Sequence, residues 1–528
     1  MSRIAKITEY FNKAHSDRQV HESDWGSAFD YTFPERNSVL SQYYTGLYEN
    51  SKRDRIHLYD STAMTGVNDL SAAIQGLMTP FNEPWLSYQV EPEFENRVSS
   101  DTKRRIDKYN AIIRDELEKS RFDLASHEAL QDAIVAGNGG LGLYDDDECI
   151  KAYSIPIGEM YWCENVGGQI DTIFRRHALK AKDIILRWGS DPEYNIPPDV
   201  IKAAKEAPNT DYTVLQSCYP YEKGRYFYSV MICEGFDVAK NFTADKASEI
   251  YFKETTFDDI PFLGFRWNLI AGQSYGDSPI LQALPDIKML NELKKDIAKF
   301  TEYAAFGIWY MLSDGFKSEQ LRGKMKAGAV IPLDEEPRPF PFPGDMQSAY
   351  QLLQLITNQI KELIFSNELP PMDRNSYMTA EEVMARRSAF LRKVGQPVLR
   401  LQKEFLEVFG RKFVRRLQAR GKLPEFSGEE LYYSLKVNSA AALSRKQSEV
   451  INEIQIMAQA MQTVGPEVVF KAIDMNKFAK KIFEDSGFSH DLFRSEEEIQ
   501  QMEEDEQQQQ QITQAAQLFS QFGGRRQG

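Results

Sequence analysis

The spacing of apolar positions changes along the chain between the period of a helix and that of a strand, which predicts an α+β fold. Up to about residue 80, and again over 101–136, apolar side chains recur at spacings of three and four, as on one face of a helix. Over 139–175 and 212–267, short β-branched and aromatic runs separated by Gly, Asp and Pro predict strands. A short helix is predicted between these two blocks, over 181–188.

Two helices are predicted after the second strand block. Ser278 can cap a helix with Pro279 in its first position, where the missing proline N–H leaves nothing unpaired. Pro285 should kink this helix or reset its start. The next helix is expected over 346–365, and the double proline at 370–371 prevents its continuation.

A third helix has the clearest start signal in the sequence. Thr379 with Glu382 three residues later forms a capping box, and apolar positions then keep helical spacing to about Arg420. Gly395 and Pro397 predict a bend in the middle of this helix. Such capping is typical of any long helix, so the pattern alone indicates no function.

Charge restricts the kind of nucleic-acid contact that the chain can make. The 528 residues include 63 Lys and Arg against 78 Asp and Glu, a formal net charge of -15. This balance argues against tight, sequence-reading binding, which needs basic patches. It is compatible with loose passage of DNA along an acidic wall, because repulsion prevents sticking.

The region 495–528 differs in composition from the rest of the chain. It begins with two clusters of acidic residues and continues into five consecutive glutamines at 507–511. Such a stretch cannot bury enough apolar surface to order itself, so we expect an acidic, Gln-rich, disordered tail. The alternative is a helix that forms only beside neighbouring subunits.

Three stretches of the sequence resemble parts of catalytic or metal-binding motifs, and each is incomplete. The glycine string at 137–142 matches G-x-G-x-x-G, but a helix precedes it and a strand follows, the reverse of a dinucleotide site. A helix C-cap followed by a turn is the better interpretation. His127 and Glu128 begin a zincin-like string, yet position 131 is Gln. An acidic turn at 145–148 is usually only solvated, so we expect no catalytic, cofactor or metal residues.

Cysteine content and hydropathy suggest a soluble chain made in a reducing cytoplasm. Four cysteines in this length, none with C-x-x-C spacing, predict free thiols and neither a disulfide framework nor a zinc ribbon. The longest apolar-leaning stretch, 303–312, is shorter than the roughly 18 residues that a membrane span needs.

Three segments together resemble a known family. The first is YDSTA at 59–63, leading through LSAAIQGLMTP at 70–80 to Trp85. The second is SYGDSP at 274–279, followed by LPDIK at 284–288 and LN at 290–291. The third is YMTAEEV at 377–383 with Arg386 and Arg387, ending at GKLP at 421–424. In this order and spacing they resemble the portal (head-to-tail connector) proteins of short-tailed, podovirus-type bacteriophages, over about residues 1–430.

The resemblance implies a portal fold with wing, helical stem, β-rich clip and helical crown. Carried onto this chain, its regions are: 1–174, first part of the wing; 175–210, a stem helix (about 175–190) and loop; 211–267, the clip; 268–310, a stem helix; 311–367, second part of the wing; 368–378, the tunnel loop; 379–420, a long bent helix; and 421–494, the crown.

The resemblance also implies which residues face DNA. A double-proline loop between two helices would project from their ends, as the tunnel loop of the family does, although an ordinary surface connection between helices has the same pattern. The implied channel residues are Pro370, Pro371, Met372, Asp373, Arg374, Asn375 and Ser376. Lys288, Lys294 and Lys295 of the stem could face DNA phosphates or neighbouring subunits.

The function that the resemblance implies is structural. The family forms a ring, usually of twelve copies, at one capsid vertex of the virion, through which a terminase packages double-stranded DNA that is later ejected. The implied partners are the chain itself, the terminase large subunit, tail adaptor proteins, capsid and scaffolding proteins, and DNA without sequence specificity, with assembly in the host cytoplasm. A tail or adaptor structural protein of the virion is the alternative.

Overall fold

The structure is a computed structural model. It describes residues 3–36, 58–80, 84–90, 100–234, 247–306, 309–310, 338–339, 346–365, 380–424, 433–437 and 453–463, with isolated positions up to 478. Contacts within the chain define two compact units, one made of Met1–Leu77 with Glu118–Arg416 and the other of Met78–Leu117 with Leu417–Gly528.

Helices and strands alternate as the apolar pattern predicts, which confirms the α+β fold. The named helices are α1 (Arg3–Asp30), α2 (Thr62–Met78), α3 (Ser100–Lys119), α4 (Phe122–Ala136), α5 (Ala181–Trp188), α6 (Pro198–Glu206), α7 (Pro279–Phe306), α8 (Met346–Leu363), α9 (Ala380–Leu401) and α10 (Glu407–Ala419). The strands are β1 (Leu86–Val90), β2 (Asn138–Asp145), β3 (Ile150–Ile155), β4 (Met160–Glu164), β5 (Ile170–Lys180), β6 (Asp211–Glu222), β7 (Arg225–Glu234), β8 (Ser248–Thr255), β9 (Phe262–Arg266), β10 (Asn268–Leu269), β11 (Gly276–Asp277), β12 (Trp309–Tyr310), β13 (Arg338–Pro339) and β14 (Tyr433–Val437).

The first unit is built around a five-stranded antiparallel sheet in the order β4-β5-β6-β7-β8. Helix α1 packs on one face and buries apolar side chains with the sheet; this core comprises Ile7, Phe11, Ala14, Tyr161, Phe174, Leu215, Tyr219 and Met231. Arg18 of α1 is fully buried, and its guanidinium donates to the backbone carbonyls of Ile157, Gly158 and Met160 at 3.1, 3.0 and 2.8 Å. The helix is therefore fixed to the sheet by apolar burial and by one buried cation.

A second sheet, in the order β3-β2-β9, packs against α4. The helix predicted over 101–136 is two helices in the structure, separated at Ser120 and Arg121. Arg121 adopts a left-handed conformation with φ 59°, and the Ser120 hydroxyl accepts a hydrogen bond from the Phe122 N–H at 3.2 Å. The apolar spacing did not reveal this break because neither residue is Gly or Pro.

The stem helix expected over about 175–190 was wrong in its first part. Residues up to Lys180 belong to β5, which pairs with β6 along its length, and only Ala181–Trp188 is helical. The strands predicted over 212–267 are confirmed, but they are not a separate module. β6, β7 and β8 share their sheet with β4 and β5, whereas β9 pairs with β2.

The long helix predicted from 379 is confirmed from Ala380 to Ala419, with an interruption that the sequence did not predict. Residues Gln402–Leu406 form a π turn between α9 and α10. The interruption lies after the bend that Gly395 and Pro397 predicted. Thr379, the predicted cap, lies outside the described residues, as does the tail 495–528.

The second unit contains a two-stranded antiparallel sheet of β1 and β14. The Asn110 side chain of α3 accepts from the Tyr88 N–H at 2.7 Å and donates to the Tyr88 carbonyl at 3.1 Å. Lys422 pairs with the buried Glu116 at 2.6 Å. The strand pairing and the Lys422–Glu116 pair join segments that are more than 300 residues apart in the sequence.

Candidate functional site

The SYGDSP segment anchors the start of α7 to the turn between α4 and β2. Gly137 ends α4 in a left-handed conformation with φ 77° and its N–H bonded to the Ala133 carbonyl, which confirms the C-cap interpretation of the glycine string. A Cβ at Gly276 would lie 2.2 Å from the Gly137 carbonyl oxygen, so only glycine fits there. The Asn138 side chain closes the contact by accepting from the Gly276 N–H at 2.8 Å.

Ser278 connects this turn to the helix that follows. Its hydroxyl accepts from the Leu281 N–H at 2.9 Å, the predicted N-cap, and donates to the Val135 carbonyl at 2.9 Å. The helix runs through Pro285 without a new start. One serine therefore both begins α7 and ties it to α4.

Two of the three segments that carry the family resemblance meet on α7. The Tyr59 N–H donates to the Asn291 side chain at 2.8 Å. Asp60 caps α2 by accepting from the Thr62 N–H at 2.8 Å, and it also pairs with Lys294. The Asp60 side chain is 4% exposed, so this pair is largely removed from water.

The three lysines proposed to line the channel have neighbours within their own subunit. Lys294 pairs with Asp60, and Lys295 pairs with Glu292 one turn earlier at 2.8 Å. The Lys288 ammonium lies 5.9 Å from the ring centre of Tyr31. All three are half-buried. The structure thus places them on one helix, with partners that account for Lys294 and Lys295 without DNA.

Helix α8 packs against α7, and the two form an antiparallel hairpin. β12 begins three residues after α7 ends, and β13 lies shortly before α8; the two strands pair with each other. The C-terminal end of α7 therefore lies near the N-terminal end of α8. Ile356 and Ile360 make the buried side of α8, and Ile364 is buried just after its end, while Tyr350 and Leu355 are 50% and 55% exposed.

A buried arginine, not predicted from the sequence, holds the long helix at its π turn. Arg266 of β9 is fully buried and donates to both carboxylate oxygens of Glu404, at 3.1 and 2.8 Å. It also donates to Glu164 at 2.8 Å and to the carbonyls of Gly168 and Ser274 at 2.7 and 3.2 Å. One guanidinium thus links β9, the β4–β5 hairpin and the long helix.

Lys412 makes a second buried connection, one and a half turns beyond the π turn. Its ammonium donates to the carbonyls of Phe257 and Ile260 and lies 4.1 Å from the Phe257 ring centre. Burial lowers the pKa of Lys412 to about 7. Around it, Arg411 pairs with Asp258 at 3.3 Å and Arg415 with Asp259 at 3.1 Å.

The remaining sequence candidates show no arrangement that suggests catalysis. His127 contacts the Gln75 side chain at 3.0 Å, and Asp145 and Asp146 of the acidic turn pair with Arg416 and Lys151. The four cysteines are free, as predicted. Within the described residues, no group of His, Cys, Asp and Glu is suited to a metal ion, and no helix is long and apolar enough to cross a membrane. The predicted tunnel-loop residues, Pro370 to Ser376, lie outside the described residues.

Comparison with known proteins gives consistent matches over most of the chain. The family model described as bacteriophage head to tail connecting protein matches residues 5–493. The "Probable portal protein" of Bordetella phage BPP-1 is 20% identical over 492 residues, which cover 89% of this chain and 85% of that protein.

Two further relatives carry the same kind of name. The "Portal protein" of Salmonella phage epsilon15 is 20% identical over 311 residues, 57% of this chain and 53% of that protein. The "Portal protein" of Enterobacteria phage T3 is 22% identical over 437 residues, 80% of this chain and 76% of that protein.

Proposed function

The chain belongs to the family of bacteriophage head-to-tail connecting proteins, and on this basis we propose that it is a portal subunit. Copies of it form a ring at one vertex of the capsid, and viral DNA passes through the ring during packaging and again during ejection. The observation that carries the proposal is the family match over nearly the whole chain, from residue 5 to residue 493. The three relatives described above, all named as portal proteins, support it over the alternative of a tail or adaptor protein.

The proposed partners follow from this role. The ring, of about twelve copies, sits in the virion after assembly in the host cytoplasm. It contacts capsid and scaffolding proteins around it, the terminase large subunit during packaging, tail adaptor proteins afterwards, and double-stranded DNA without sequence specificity. We expect no catalytic activity of its own, because the ring guides DNA that a separate motor moves.

The helical hairpin changes which elements we assign to the stem. Helix α5 has 8 residues, so it spans only about 12 Å at 1.5 Å per residue. Helix α7 has 28 residues and spans about 42 Å, and α8, with 18 residues, spans about 27 Å. We therefore assign the stem to α7 and α8. The tunnel loop, 368–378, then connects α8 to the long helix.

The other regional assignments remain proposals of the same kind. A clip role for 211–267 concerns β6, β7 and β8, since β9 belongs to the other sheet. The first part of the wing, 1–174, and the crown, 421–494, keep their boundaries, whereas the second part of the wing is shortened from 311–367 to 311–345, because α8 is now assigned to the stem. Residues Pro370 to Ser376 stay the proposed channel residues of the tunnel loop.

Electron microscopy of the purified chain tests the proposal. Twelve copies of a 60.7 kDa chain amount to about 0.7 MDa, and head-to-tail contacts that close on themselves generate rings. We expect closed rings with a central hole wide enough for duplex DNA. Monomers or two-fold dimers alone, at micromolar concentration, would argue strongly against a portal.

A further inference from the structure

Helix α8 has an unusual distribution of charge. From Met346 to Ile360 it contains no Asp, Glu, Lys or Arg, although 27% of the whole chain is charged. Five side-chain amides on this stretch are exposed, and four of them recur at spacings of four, three and four, which places these four in one stripe along the helix. We call this the amide stripe: Gln347, Gln351, Gln354 and Asn358. The fifth, Gln359, lies about a quarter-turn away from them.

A second exposed stripe lies beside the first. Leu352 and Leu355 are 38% and 55% exposed, and each follows a member of the amide stripe by one residue. One residue turns a helix by about 100°, so this leucine stripe faces roughly a quarter-turn away from the amides. The buried side of the helix, with Ile356 and Ile360, faces a third direction. Helix α8 thus has one covered side and two different uncovered sides.

These three sides match what a helix in the wall of a ring requires. Such a helix packs against its own subunit, faces the channel on one side, and meets the next copy on a side about a right angle away. Resting on the proposed portal function, we propose that the amide stripe faces the DNA and that the next copy of the chain covers the leucine stripe.

The chemistry of the amides suits moving DNA better than lysines would. An amide N–H donates to a phosphate oxygen as a sequence-independent backbone contact. Because the amide is neutral, it displaces no counterions, and the contact lacks the strong, salt-dependent attraction of a Lys or Arg. Between Gln347 and Asn358 no acidic residue lies on the stripe, so repulsion is absent there; the next position on the same face, Glu362, is 71% exposed and pairs with Lys393 at 4.0 Å. The leucines have the apolar, uncharged character of an interface core.

Helix α7 is the other candidate for the channel wall, and its exposed surface is different. Lys299 and Asp296 lie 3.8 Å apart and are both largely exposed, and Glu292 pairs with Lys295. These opposite charges are paired along the helix, so the exposed surface of α7 offers DNA little net positive charge. The charge pattern therefore favours α8 as the DNA-facing helix.

Photo-crosslinking in assembled rings tests the orientation. A benzophenone side chain is installed singly at position 354 on the amide stripe, at 355 on the leucine stripe, or at 299 on α7 as the matched exposed control. Each ring is irradiated with linear duplex DNA, which can thread the hole, and with covalently closed circular duplex, which cannot. We expect position 354 to crosslink linear DNA several-fold more than position 299 does, and to lose the product with circular DNA. Position 355 should crosslink a second copy of the chain.

The outcomes separate this inference from the function on which it rests. If no rings form, the portal proposal fails. If rings form and position 299 crosslinks threaded DNA while 354 does not, the portal proposal stands and the orientation is wrong. Crosslinks from position 354 to a second copy would assign the amide stripe to the subunit interface and also overturn the orientation.

A salt titration gives an independent readout. Replacing Gln354→Lys in every copy adds a cation at the proposed DNA surface, so the dependence of linear-DNA binding on salt should steepen, by a slope of about 0.9 for each phosphate neutralised. Ser248→Lys, at an exposed position on β8, is the control and should leave the slope unchanged. An unchanged slope for Gln354→Lys in intact rings would contradict the proposed orientation.

Discussion

Helices α8 and α10 differ in how many charged residues they carry and in whether those surfaces are covered. Helix α10 carries four cations within six residues, at 411, 412, 415 and 416, and each has a partner in the same unit of the chain. The uncharged stretch of α8 is uncovered on two sides. The cations of α10 thus bind partners within the subunit, whereas the uncharged residues of α8 include two exposed stripes.

The contrast teaches where to look for DNA contacts in an acidic chain. A search for basic residues points to α10 and to Lys294 and Lys295 of α7, yet these cations are already paired. Buried cations without partners are costly, so the chain supplies carboxylates and carbonyls for each of them. The positive charges of these helices therefore serve contacts within the subunit. The neutral surface of α8 is the candidate for contact with DNA.

The largest effect expected is at Arg266, which joins the π turn to β9. Arg266→Met would leave the carboxylates of Glu164 and Glu404 without their shared cation, and breaking such a buried pair costs about 3–5 kcal/mol. We expect a clearly lower thermal midpoint of the purified chain. Arg266→Lys keeps the charge but lacks the planar fork of donors. Its thermal midpoint should therefore lie between those of the wild type and Arg266→Met. A wild-type midpoint for Arg266→Met would show that this joint is not structural.

The second prediction concerns pH and Lys412. Its pKa is about 7 in the folded chain against 10.5 for the ordinary amine, because burial disfavours the charge. Between these values the unfolded chain binds more protons, so stability should rise with pH from 7 to 10.5, by at most about 1.4 kcal/mol per unit. Below pH 7 this gain is absent.

Paired melting curves isolate the contribution of Lys412. Cys218, Asp258, Arg411 and Arg416 also face it, so the readout is the difference between wild type and Lys412→Met at each pH. That difference should grow in favour of the wild type as pH rises. Lys403→Met, on the exposed side of the π turn, is the control, because Lys403 is 71% exposed. A pH-independent difference for Lys412→Met would contradict the prediction.

Local signals predicted the elements of the fold well. The cap at Ser278, the end of α4 at Gly137 and helix α5 are all confirmed, because each depends on residues close in sequence. The strand character of residues 175–180 was missed because it depends on pairing with β6. The π turn was missed for a related reason: Glu404 meets Arg266 from 138 residues away.

The candidate site was less predictable than the fold. Lys294 looked available because its partner, Asp60, is more than 200 residues away and no local pattern joins them. The amide stripe, in contrast, can be read in the sequence as an uncharged stretch with polar residues at helical spacing. Positive charge does not identify it as a DNA contact, because this surface is neutral.

A third, smaller effect is expected at Lys294. Lys294→Met leaves the Asp60 side chain with its Thr62 hydrogen bonds but without its cation, and a hydrogen bond between charged groups contributes about 1.5–3 kcal/mol. DNA binding by assembled rings should stay unchanged, because this lysine is structural. Lys299→Met is the matched control on the same helix and should change neither property, since Lys299 is 54% exposed. Weaker DNA binding for Lys294→Met, with an unchanged melting midpoint, would show instead that Lys294 contacts DNA.

The smallest effect is expected where the cations of α10 reach the surface. Arg411 and Arg415 pair with Asp258 and Asp259 near Lys412, but their side chains are 49% and 44% exposed. Exposed pairs contribute about 0–1 kcal/mol, and salt screens them. Arg411→Ala and Arg415→Ala should therefore each lower the melting midpoint slightly at low salt and not at high salt. If either substitution lowered the melting midpoint strongly and equally at both salt concentrations, these exposed pairs would contribute to stability as buried pairs do.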